Sequence, residues 1–277
     1  MKKKHHLLGL AVLPALGAAY VAGLRGRTDH PAWQILRRYR YAHRGYHDKP
    51  VIPENSLPAF RRAVERGWGA ELDVHLMKDG TLAVIHDSSL KRTAGADVMI
   101  EDLTREELEN YRLEGTDERI PLFDEVLEIF EGKTPLIIEL KTANGNHMAL
   151  SEAVCRRLDS YRGYFCIESF DPFAVADVRK LRPEICRGQL AENFLKDKNA
   201  GIGVPKSILA TGLIGNAAAK PDFIAFKFED RSCVSNAACL KLWHIQGVTW
   251  TIRSKADLLT AEREGLIPIF EKFDPEM

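Results

Sequence analysis

The five cysteines of this 277-residue sequence include no CxxC pair, which argues against a disulfide framework and against a cysteine-ligated zinc site. The sequence also lacks an excess of charge, because 39 basic residues balance 39 acidic ones. Balanced charge without a block of like charges gives no indication of a nucleic-acid partner. No repeat or low-complexity segment is present, so the composition is that of an ordinary globular protein.

One segment, at the N-terminus, lacks charge altogether. The 18 residues from Leu7 to Leu24 contain no charged side chain, and they lie between Lys2–Lys4 and the arginines that begin at Arg25. As a helix the segment would span about 27 Å, close to the ~30 Å hydrocarbon core of a bilayer. We expect residues 1–27 to form an uncleaved single-pass membrane anchor, with a cleaved signal peptide as the alternative. Basic residues flank the segment on both sides and leave its orientation open.

Downstream of a short basic connector, residues 28–38, strand-like apolar runs alternate with amphipathic segments. Eight runs have the character of buried strands, over residues 41–45, 69–76, 135–141, 164–170, 185–190, 222–228, 248–253 and 266–273. Five segments between them have apolar residues at helical spacing, over residues 54–67, 121–132, 148–161, 171–183 and 254–265. Strands that alternate with helices pair in parallel, and eight of them close a (β/α)₈ barrel, here over residues 39–277. A doubly wound open sheet is the alternative.

One interval does not fit this repeat. Between the second strand and the helix that begins near Pro121, the chain contains a further apolar run, TLAVIHD, a charged helix-like stretch and several polar turns. We expect this interval to be an insertion near the mouth of the barrel.

Polar residues accumulate at the ends of the predicted strands, where a barrel of this type places its active site. The second strand carries Glu71 and Asp73 on one face, and the third carries Glu139. Three carboxylates from adjacent strands are hard oxygen ligands, which suit Mg²⁺ or Ca²⁺. Arg44 and Lys141 are cations that a phosphate group would satisfy.

Two histidines complete this set. His43 follows the first strand, His86 lies in the insertion, and an imidazole can transfer protons near neutral pH. A metal site, phosphate-binding cations and two imidazoles together indicate hydrolysis or transfer at a phosphate ester. The later strands add further candidate pocket residues, namely Glu168, Gln189, Lys227, Trp250 and Arg253.

The motifs that carry these residues form a recognisable series. AHRG, PENSLPAF, ELDVHLMKDGTLAVIHDSSLKR, DLTREEL, IPLFDEVL and LIIELK follow one another between residues 42 and 141. The series resembles the glycerophosphodiester phosphodiesterase family, and the resemblance extends from about residue 40 to the C-terminus. It implies a TIM barrel with a small insertion after the second strand, and hydrolysis of glycerophosphodiesters to sn-glycerol 3-phosphate and an alcohol.

The resemblance also implies a role for each residue of the site. The three carboxylates would hold one divalent cation, Arg44 and Lys141 would bind the phosphate, and the two histidines would be the acid–base pair. Trp250 would pack against the glycerol part of the substrate. In the family a neighbouring hydroxyl of the substrate is the nucleophile, so the reaction passes through a cyclic phosphate and benefits from intramolecular attack.

The sequence departs from the family pattern at two positions. His75 stands where a glutamine is usual, and we expect it to lie beside the site and not to ligate the metal. The last strand reads LIPIFEKFDP in place of an ending with Thr-Asp and a proline, so that Glu271 either faces the site or caps the mouth.

Two alternative functions stay open. One is a lysophospholipase D-like phosphodiesterase, which the predicted anchor favours. The other is a catalytically inactive, membrane-anchored protein that binds phosphodiesters, although binding alone requires only the cations.

Overall fold

Eight parallel strands close into a barrel in the computed structural model, which describes residues 15–196 and 203–277. The strands of the described chain are β1 (Tyr41–Ala42), β2 (Gly69–Leu76), β3 (Leu82–Val84), β4 (Leu136–Leu140), β5 (Phe165–Ser169), β6 (Arg187–Ala191), β7 (Phe223–Lys227), β8 (Gln246–Ile252) and β9 (Ile267–Phe270). The barrel contains all of them except β3, which pairs antiparallel with β2. Because β1 pairs with both β2 and β9, the sheet is closed. The predicted (β/α)₈ barrel is confirmed, and the open sheet is wrong.

The helices of the described chain surround the barrel, close its bottom or belong to the interval between β2 and Pro121. They are α1 (within residues 15–23), α2 (Trp33–Leu36), α3 (Leu57–Glu65), α4 (Lys91–Ala94), α5 (Arg105–Leu108), α6 (Phe123–Phe130), α7 (His147–Leu158), α8 (Pro172–Leu181), α9 (Val204–Thr211), α10 (Asn216–Ala219), α11 (Val234–Ala237) and α12 (Lys255–Arg263). The five helices expected from apolar spacing correspond to α3, α6, α7, α8 and α12.

The start and end of α3 illustrate how the sequence sets a helix boundary. The Ser56 hydroxyl accepts a hydrogen bond from the Ala59 N–H at 3.3 Å, so Ser56 is the N-cap. Gly67, just beyond the helix, has a φ of +72°, which glycine adopts without the steric cost of a Cβ. The helix buries Phe60 and Ala63, which lie on one face toward the barrel.

Alternation along β4 divides the core into two layers. Leu136, Ile138 and Leu140 pack in the cluster between the barrel and its helices, whereas Ile137 belongs to the cluster that fills the barrel. By the same alternation Glu139, two residues after Ile137 and closer to the carboxyl end of the strand, also faces the interior. The lower barrel is therefore apolar, and its polar residues lie at the mouth.

The segment before β1 closes the bottom of the barrel. Trp33 of α2 is buried, and its ring meets that of Phe223 edge to face at 5.5 Å between centroids. The Arg27 guanidinium binds the carboxylate of Asp222, just before β7, and donates to the Pro183 carbonyl at 2.9 Å. Leu24 is 1% exposed within the main core. The boundary predicted at residue 27 therefore falls within a packed segment.

The predicted anchor lies only partly in the described chain. Residues 1–14, and with them the first part of the uncharged segment, lie outside it. Over residues 15–196 and 203–277, no helix has both the length and the apolar character needed to cross a bilayer.

The interval that breaks the barrel repeat is a separate small unit above β2. It contains β3, α4, a 3₁₀ turn over Ile100–Asp102 and α5. Its apolar residues, among them Met77, Ile85, Leu90 and Ile100, form a cluster of their own. The insertion predicted near the mouth of the barrel is confirmed.

Candidate active site

Three buried carboxylates meet at the mouth of the barrel. Strand register places Asp73 of β2 beside Glu139 of β4, and Glu71 lies two residues earlier on the same face of β2. One carboxylate oxygen from each of the three residues lies within 4.8 Å of the others. The structure therefore brings together all three residues that the sequence predicts as metal ligands.

The electrostatics of this triad are those of a cation site. Burial, and then the charges of Asp73 and Glu139, raise the pKa of Glu71 well above its usual value. Burial also raises the pKa of Glu139, and the nearby ammonium of Lys141 only partly opposes this effect. The Asp73 Oδ1 atom makes no hydrogen bond within the described chain. Buried carboxylates that repel one another, with an oxygen among them that accepts no hydrogen bond in the described chain, fit a hard divalent cation.

Asp73 nevertheless stays ionised. Burial acts to raise its pKa, but the charges of His86, Lys141 and Arg44 outweigh burial and hold the pKa below its usual range. Lys141 Nζ lies 2.9 Å from Glu139 Oε1 and 3.5 Å from Asp73 Oδ1. The two predicted phosphate-binding cations thus lie directly beside the triad.

Asn55 is a site residue that the sequence analysis did not identify. Its side-chain amide donates to Asp73 Oδ2 at 2.8 Å, and its backbone N–H donates to the Arg44 carbonyl at 2.9 Å. Its φ of +51° is left-handed, a conformation that asparagine tolerates better than most residues. The Asn-Ser pair before α3 is the sequence signal: Ser56 caps the helix, and Asn55 is then available to orient Asp73.

His43 is fixed by a carboxylate from the last strand. Its Nδ1 lies 2.7 Å from Glu271 Oε2, and its Nε2 lies 3.9 Å from Glu71 Oε2. Arg253 Nε also donates to Glu271, at 2.7 Å. Of the two roles considered for Glu271, the structure supports the one that faces the site. Burial and the charge of Arg44 lower the pKa of His43 to about 4, against the hydrogen bond to Glu271.

Arg44 follows His43 in a tight left-handed turn. Its φ is +53°, and its backbone N–H donates to Glu71 Oε2 at 2.9 Å. A Cβ at Gly45 would lie 2.9 Å from the Ala59 side chain, so the turn can pack against α3 only with glycine there. The Arg44 guanidinium donates to Glu54 Oε1 at 2.9 Å and lies 3.5 Å from Asp73 Oδ2.

His86 reaches the same site from the insertion. Its Nδ1 lies 2.5 Å from Asp87 Oδ1, and Arg92 donates both to Asp87 and to Glu54, at 2.5 and 2.7 Å. A continuous chain of hydrogen bonds through Asp87, Arg92 and Glu54 therefore links His86 to Arg44. Burial acts to raise the pKa of Glu54, but the hydrogen bond from Arg92 and the charge of Arg44 hold it at about 2.

His75 lies behind His86 and outside the triad. Its Nδ1 is 2.7 Å from Glu101 Oε1, and its Nε2 is 3.2 Å from the His86 carbonyl. Both ring nitrogens therefore contact residues of the insertion, as expected for a histidine that lies beside the site and does not ligate a metal.

A cavity of about 370 Å³ opens over these groups. Polar residues of the site form one wall, including Glu168, which is level with Glu139 on β5. The opposite wall is apolar and consists of Phe170, Leu190, Trp250 and Ile269. Burial and the charges of Glu139 and Asp73 raise the pKa of Glu168 well above its usual value. Phe170 and Glu192 also line the cavity but were not predicted.

Three predicted pocket residues do not line this cavity. Gln189 is level with Ser169, and its amide donates to the Ser169 and Phe170 carbonyls at 3.0 Å each. Because Glu168 is level with Gly188 in the register, Gln189 points away from the interior and does not line the cavity. Lys227 is directed to Glu192, with 3.0 Å between Nζ and Oε1. Arg253 donates to Glu271, the carboxylate that holds His43.

Comparison with known proteins identifies the family. The model of the glycerophosphoryl diester phosphodiesterase family matches residues 43–270, which is most of the chain. The chain belongs to this family. The match includes every residue of the triad, both cations and both histidines described above.

Two curated relatives are named glycerophosphodiester phosphodiesterase, and a third is named lysophospholipase D. A glycerophosphodiester phosphodiesterase from Caldanaerobacter subterraneus subsp. tengcongensis is 36% identical over 159 residues, which cover 54% of this chain and 65% of that protein. One from Bacillus altitudinis is 36% identical over 156 residues, or 52% and 63% of the two chains. A rat lysophospholipase D, GDPD1, is 41% identical over 104 residues, 33% of each chain. This chain thus spans less than two thirds of the length of the relatives that it matches.

Solved structures have the same fold. A phosphodiesterase from Oleispira antarctica, in complex with the product sn-glycerol-3-phosphate, aligns with a TM-score of 0.67 at 24% identity, covering 84% of this chain and 92% of that one. A glycerophosphodiester phosphodiesterase from Thermotoga maritima aligns with a TM-score of 0.62 at 25% identity, covering 84% and 94%.

Proposed function

We propose that this protein hydrolyses glycerophosphodiesters to sn-glycerol 3-phosphate and an alcohol with the help of one divalent cation. The observation that carries the proposal is the meeting of Glu71, Asp73 and Glu139 with the flanking cations Arg44 and Lys141 at the mouth. Membership of the family supports the reaction. The Oleispira antarctica phosphodiesterase, which binds the product sn-glycerol-3-phosphate, supports the substrate class.

The triad would hold the cation, Mg²⁺ or Ca²⁺, and the cation when bound would polarise the phosphoryl group as a Lewis acid. Arg44 and Lys141 would bind the phosphate oxygens, since both lie within 3.5 Å of the triad and at the cavity wall. A charged guanidinium can bind a phosphate in a two-pronged manner, whereas the lysine acts as a point charge. Trp250, on the apolar wall, would pack against the glycerol carbons.

His43 and His86 would share the proton transfers. His43 would act as the base, because burial keeps its imidazole neutral and Glu271 holds Nδ1, which leaves Nε2 to accept the proton of the neighbouring glycerol hydroxyl. That oxygen attacks phosphorus and the alcohol departs, so that a cyclic phosphate forms. His86, whose Nδ1 is hydrogen-bonded to Asp87, would protonate the departing oxygen. Water then opens the ring, and the two histidines exchange roles.

The test is hydrolysis of glycerophosphocholine, measured as release of sn-glycerol 3-phosphate. Turnover should disappear in excess EDTA and return with Mg²⁺ or Ca²⁺. Glu139→Gln should abolish it, whereas Glu152→Gln, a matched change at an exposed carboxylate of α7, should not. Full turnover in EDTA, or in Glu139→Gln, would contradict the metal assignment. Binding without turnover by the wild-type protein would favour the inactive alternative.

The cyclic-phosphate route has a separate test. A substrate without the neighbouring hydroxyl, such as bis(p-nitrophenyl) phosphate, has a good leaving group but no internal nucleophile. It should be hydrolysed far more slowly than glycerophosphocholine, because intramolecular attack carries a large entropic advantage. Equal rates would refute this route and leave a general metal-dependent phosphodiesterase.

A lysophospholipase D-like activity is the second candidate. The apolar wall of Phe170, Leu190 and Trp250 and the relatives named lysophospholipase D favour it. Parallel assays with lysophosphatidylcholine and glycerophosphocholine distinguish the two candidates. Only a lysophospholipase D-like activity releases choline from lysophosphatidylcholine, which keeps its acyl chain.

We also propose that the uncharged segment from Leu7 to residue 19, before the part of α1 that packs on the barrel, attaches the protein to a membrane. The uncharged segment supports this, together with the exposure of residues 15–19 at the start of the described helix. Flotation of the full chain with vesicles should retain it on the lipid after high-salt washing. N-terminal sequencing of the protein from its host distinguishes an anchor from a cleaved signal peptide.

A further inference from the structure

Three helices have an exposed apolar side chain within their first two residues. Phe173 is the second residue of α8, and Val204 and Val234 are the first residues of α9 and α11; they are 65%, 68% and 78% exposed. Exposing one such side chain is ordinary, but three at the starts of helices form a pattern. Leu195, in the loop after β6, is 56% exposed. We name these four residues the apolar rim.

The topology of the barrel places the apolar rim at its mouth. The helices α8, α9 and α11 follow β5, β6 and β7, which are neighbours in the barrel. In a parallel barrel the connection after each strand begins at the carboxyl end, where the site lies. The apolar rim therefore borders the opening of the cavity on the side of these three strands.

The N-terminal helix extends toward the same end. Arg27 binds Asp222 at the bottom of the barrel, before β7. Going backward along the chain, Gly23 lies beside Ala217 of α10, and Tyr20 donates to the Gly212 carbonyl, just after α9, at 2.9 Å. These contacts follow in the same order along both segments, so α1 runs parallel to the chain that leads from the end of α9 through α10 to the start of β7 at the bottom. Its earlier residues thus extend from the bottom toward the mouth.

The start of α1 leaves the barrel surface as it approaches the mouth. Residues 15–19, with the sequence ALGAA, are all exposed and uncharged, and Leu16 is 62% exposed. The residues before them, Leu7 to Pro14, are also uncharged, and three lysines occupy positions 2–4. Exposed lysines, Lys196 and Lys206, flank the apolar rim. Apolar side chains bordered by lysines are suited to an interface with anionic lipid.

We propose that the apolar rim docks on a lipid bilayer, so that the mouth of the barrel faces the membrane to which the uncharged segment before residue 20 attaches. The inference rests on the membrane attachment proposed above and extends the proposed function, because substrate would then reach the cavity from the bilayer surface. The occupant is a bilayer because the segment that precedes the exposed start of α1 is uncharged in sequence and follows the lysines at positions 2–4.

The test uses the full chain on vesicles of phosphatidylcholine and phosphatidylglycerol, with and without brominated acyl chains. Phe173→Trp and Val234→Trp introduce fluorophores at the apolar rim. Tyr164→Trp is the matched control, because Tyr164 is 56% exposed and precedes β5, at the opposite end of the barrel. A side chain inserted at the boundary between headgroups and acyl chains lies within reach of the bromines. We expect the bromines to quench at least about half of the fluorescence that Phe173→Trp and Val234→Trp add. They should quench none of the fluorescence that Tyr164→Trp adds.

Unquenched rim fluorophores, or equal quenching at position 164, would overturn the proposal. If the quenching is absent and the triple variant Phe173→Ser, Val204→Ser, Val234→Ser abolishes self-association of the wild-type chain, a second copy occupies the rim, and the proposal also fails. Hydrolysis of soluble glycerophosphocholine is measured on the same samples. If the wild-type protein does not hydrolyse it, the proposed function is refuted. The quenching decides separately whether the apolar rim docks on the bilayer.

Discussion

His43 and Glu271 are joined by a hydrogen bond of 2.7 Å between Nδ1 and Oε2, although 228 residues separate them in the chain. The contact exists only because β9 returns to β1 and closes the barrel. It fixes the imidazole so that Nε2 is directed to Glu71 and the cavity. Glu271 is therefore a positioning residue for the proposed base.

Replacing Glu271 with Gln should lower kcat for glycerophosphocholine by about 10- to 100-fold, the usual effect of losing a carboxylate that orients a functional histidine. The KM should change little, because Glu271 does not line the cavity in the described chain. Glu271→Asp should recover part of the rate if its shorter side chain still reaches Nδ1. Glu262→Gln, at a partly exposed ion pair with Arg40, is the control. An unchanged kcat in Glu271→Gln would remove its positioning role.

Divalent cation should raise the melting temperature of the wild-type protein. A cation bound at 100 times its dissociation constant adds about 2.7 kcal/mol to the free energy of unfolding. Glu71→Gln should abolish this increase and should not destabilise the cation-free protein, because burial and repulsion from Asp73 already raise the pKa of Glu71. Thermal unfolding with Mg²⁺ or Ca²⁺ and with EDTA measures both effects. A cation-dependent shift of equal size in the variant would place the ion elsewhere.

The stability contributed by Glu54 should depend on pH. Its pKa falls from 4.5 in the unfolded chain to about 2 in the folded protein, so the stabilisation is complete above about pH 5 and is lost as the pH falls toward 2. The shift corresponds to about 3 kcal/mol at neutral pH. Urea unfolding of wild-type and Glu54→Gln proteins should therefore differ most at pH 7 and least near pH 2. A difference that grows on acidification would contradict the direction of the shift.

Two leucines of the uncharged segment should behave differently on truncation to alanine. Leu24 is 1% exposed in the main core, so Leu24→Ala should lower the free energy of unfolding by about 2–5 kcal/mol. Leu16 is 62% exposed, so Leu16→Ala should change it by less than about 0.5 kcal/mol. Denaturant unfolding of the full chain in detergent measures both. Equal effects would show that the described packing of residue 24 is wrong.

Much of the barrel could be predicted because its strands are buried on both faces and therefore stand out as continuous apolar runs. The triad followed from the alternation of side chains along β2 and β4, which needs no tertiary information. Partners that depend on barrel closure, such as Glu271 for His43, could not be identified with the same certainty. Nothing local in the sequence specifies which strands become neighbours.

Gln189 shows why alternation failed in one strand. The residue level with Glu168 is Gly188, and a Cβ there would lie 2.2 Å from the Phe223 ring. The interior position of β6 is thus a glycine that makes room for an aromatic ring of β7, and the polar residue next to it faces outward. Because glycine has no side chain, the sequence of β6 does not show which of its residues face the interior. The polar Gln189 is therefore the residue that the sequence predicts for the pocket.

The insertion carries His86, yet it packs around an apolar cluster that is separate from the barrel core. The triad and both phosphate-facing cations, by contrast, belong to the barrel strands or directly follow them. Under the proposed reaction, one module recognises the phosphate and another delivers the proton to the departing alcohol. The two can therefore diverge independently: exchange of the insertion could change which alcohols leave readily without rebuilding the metal-binding end of the barrel.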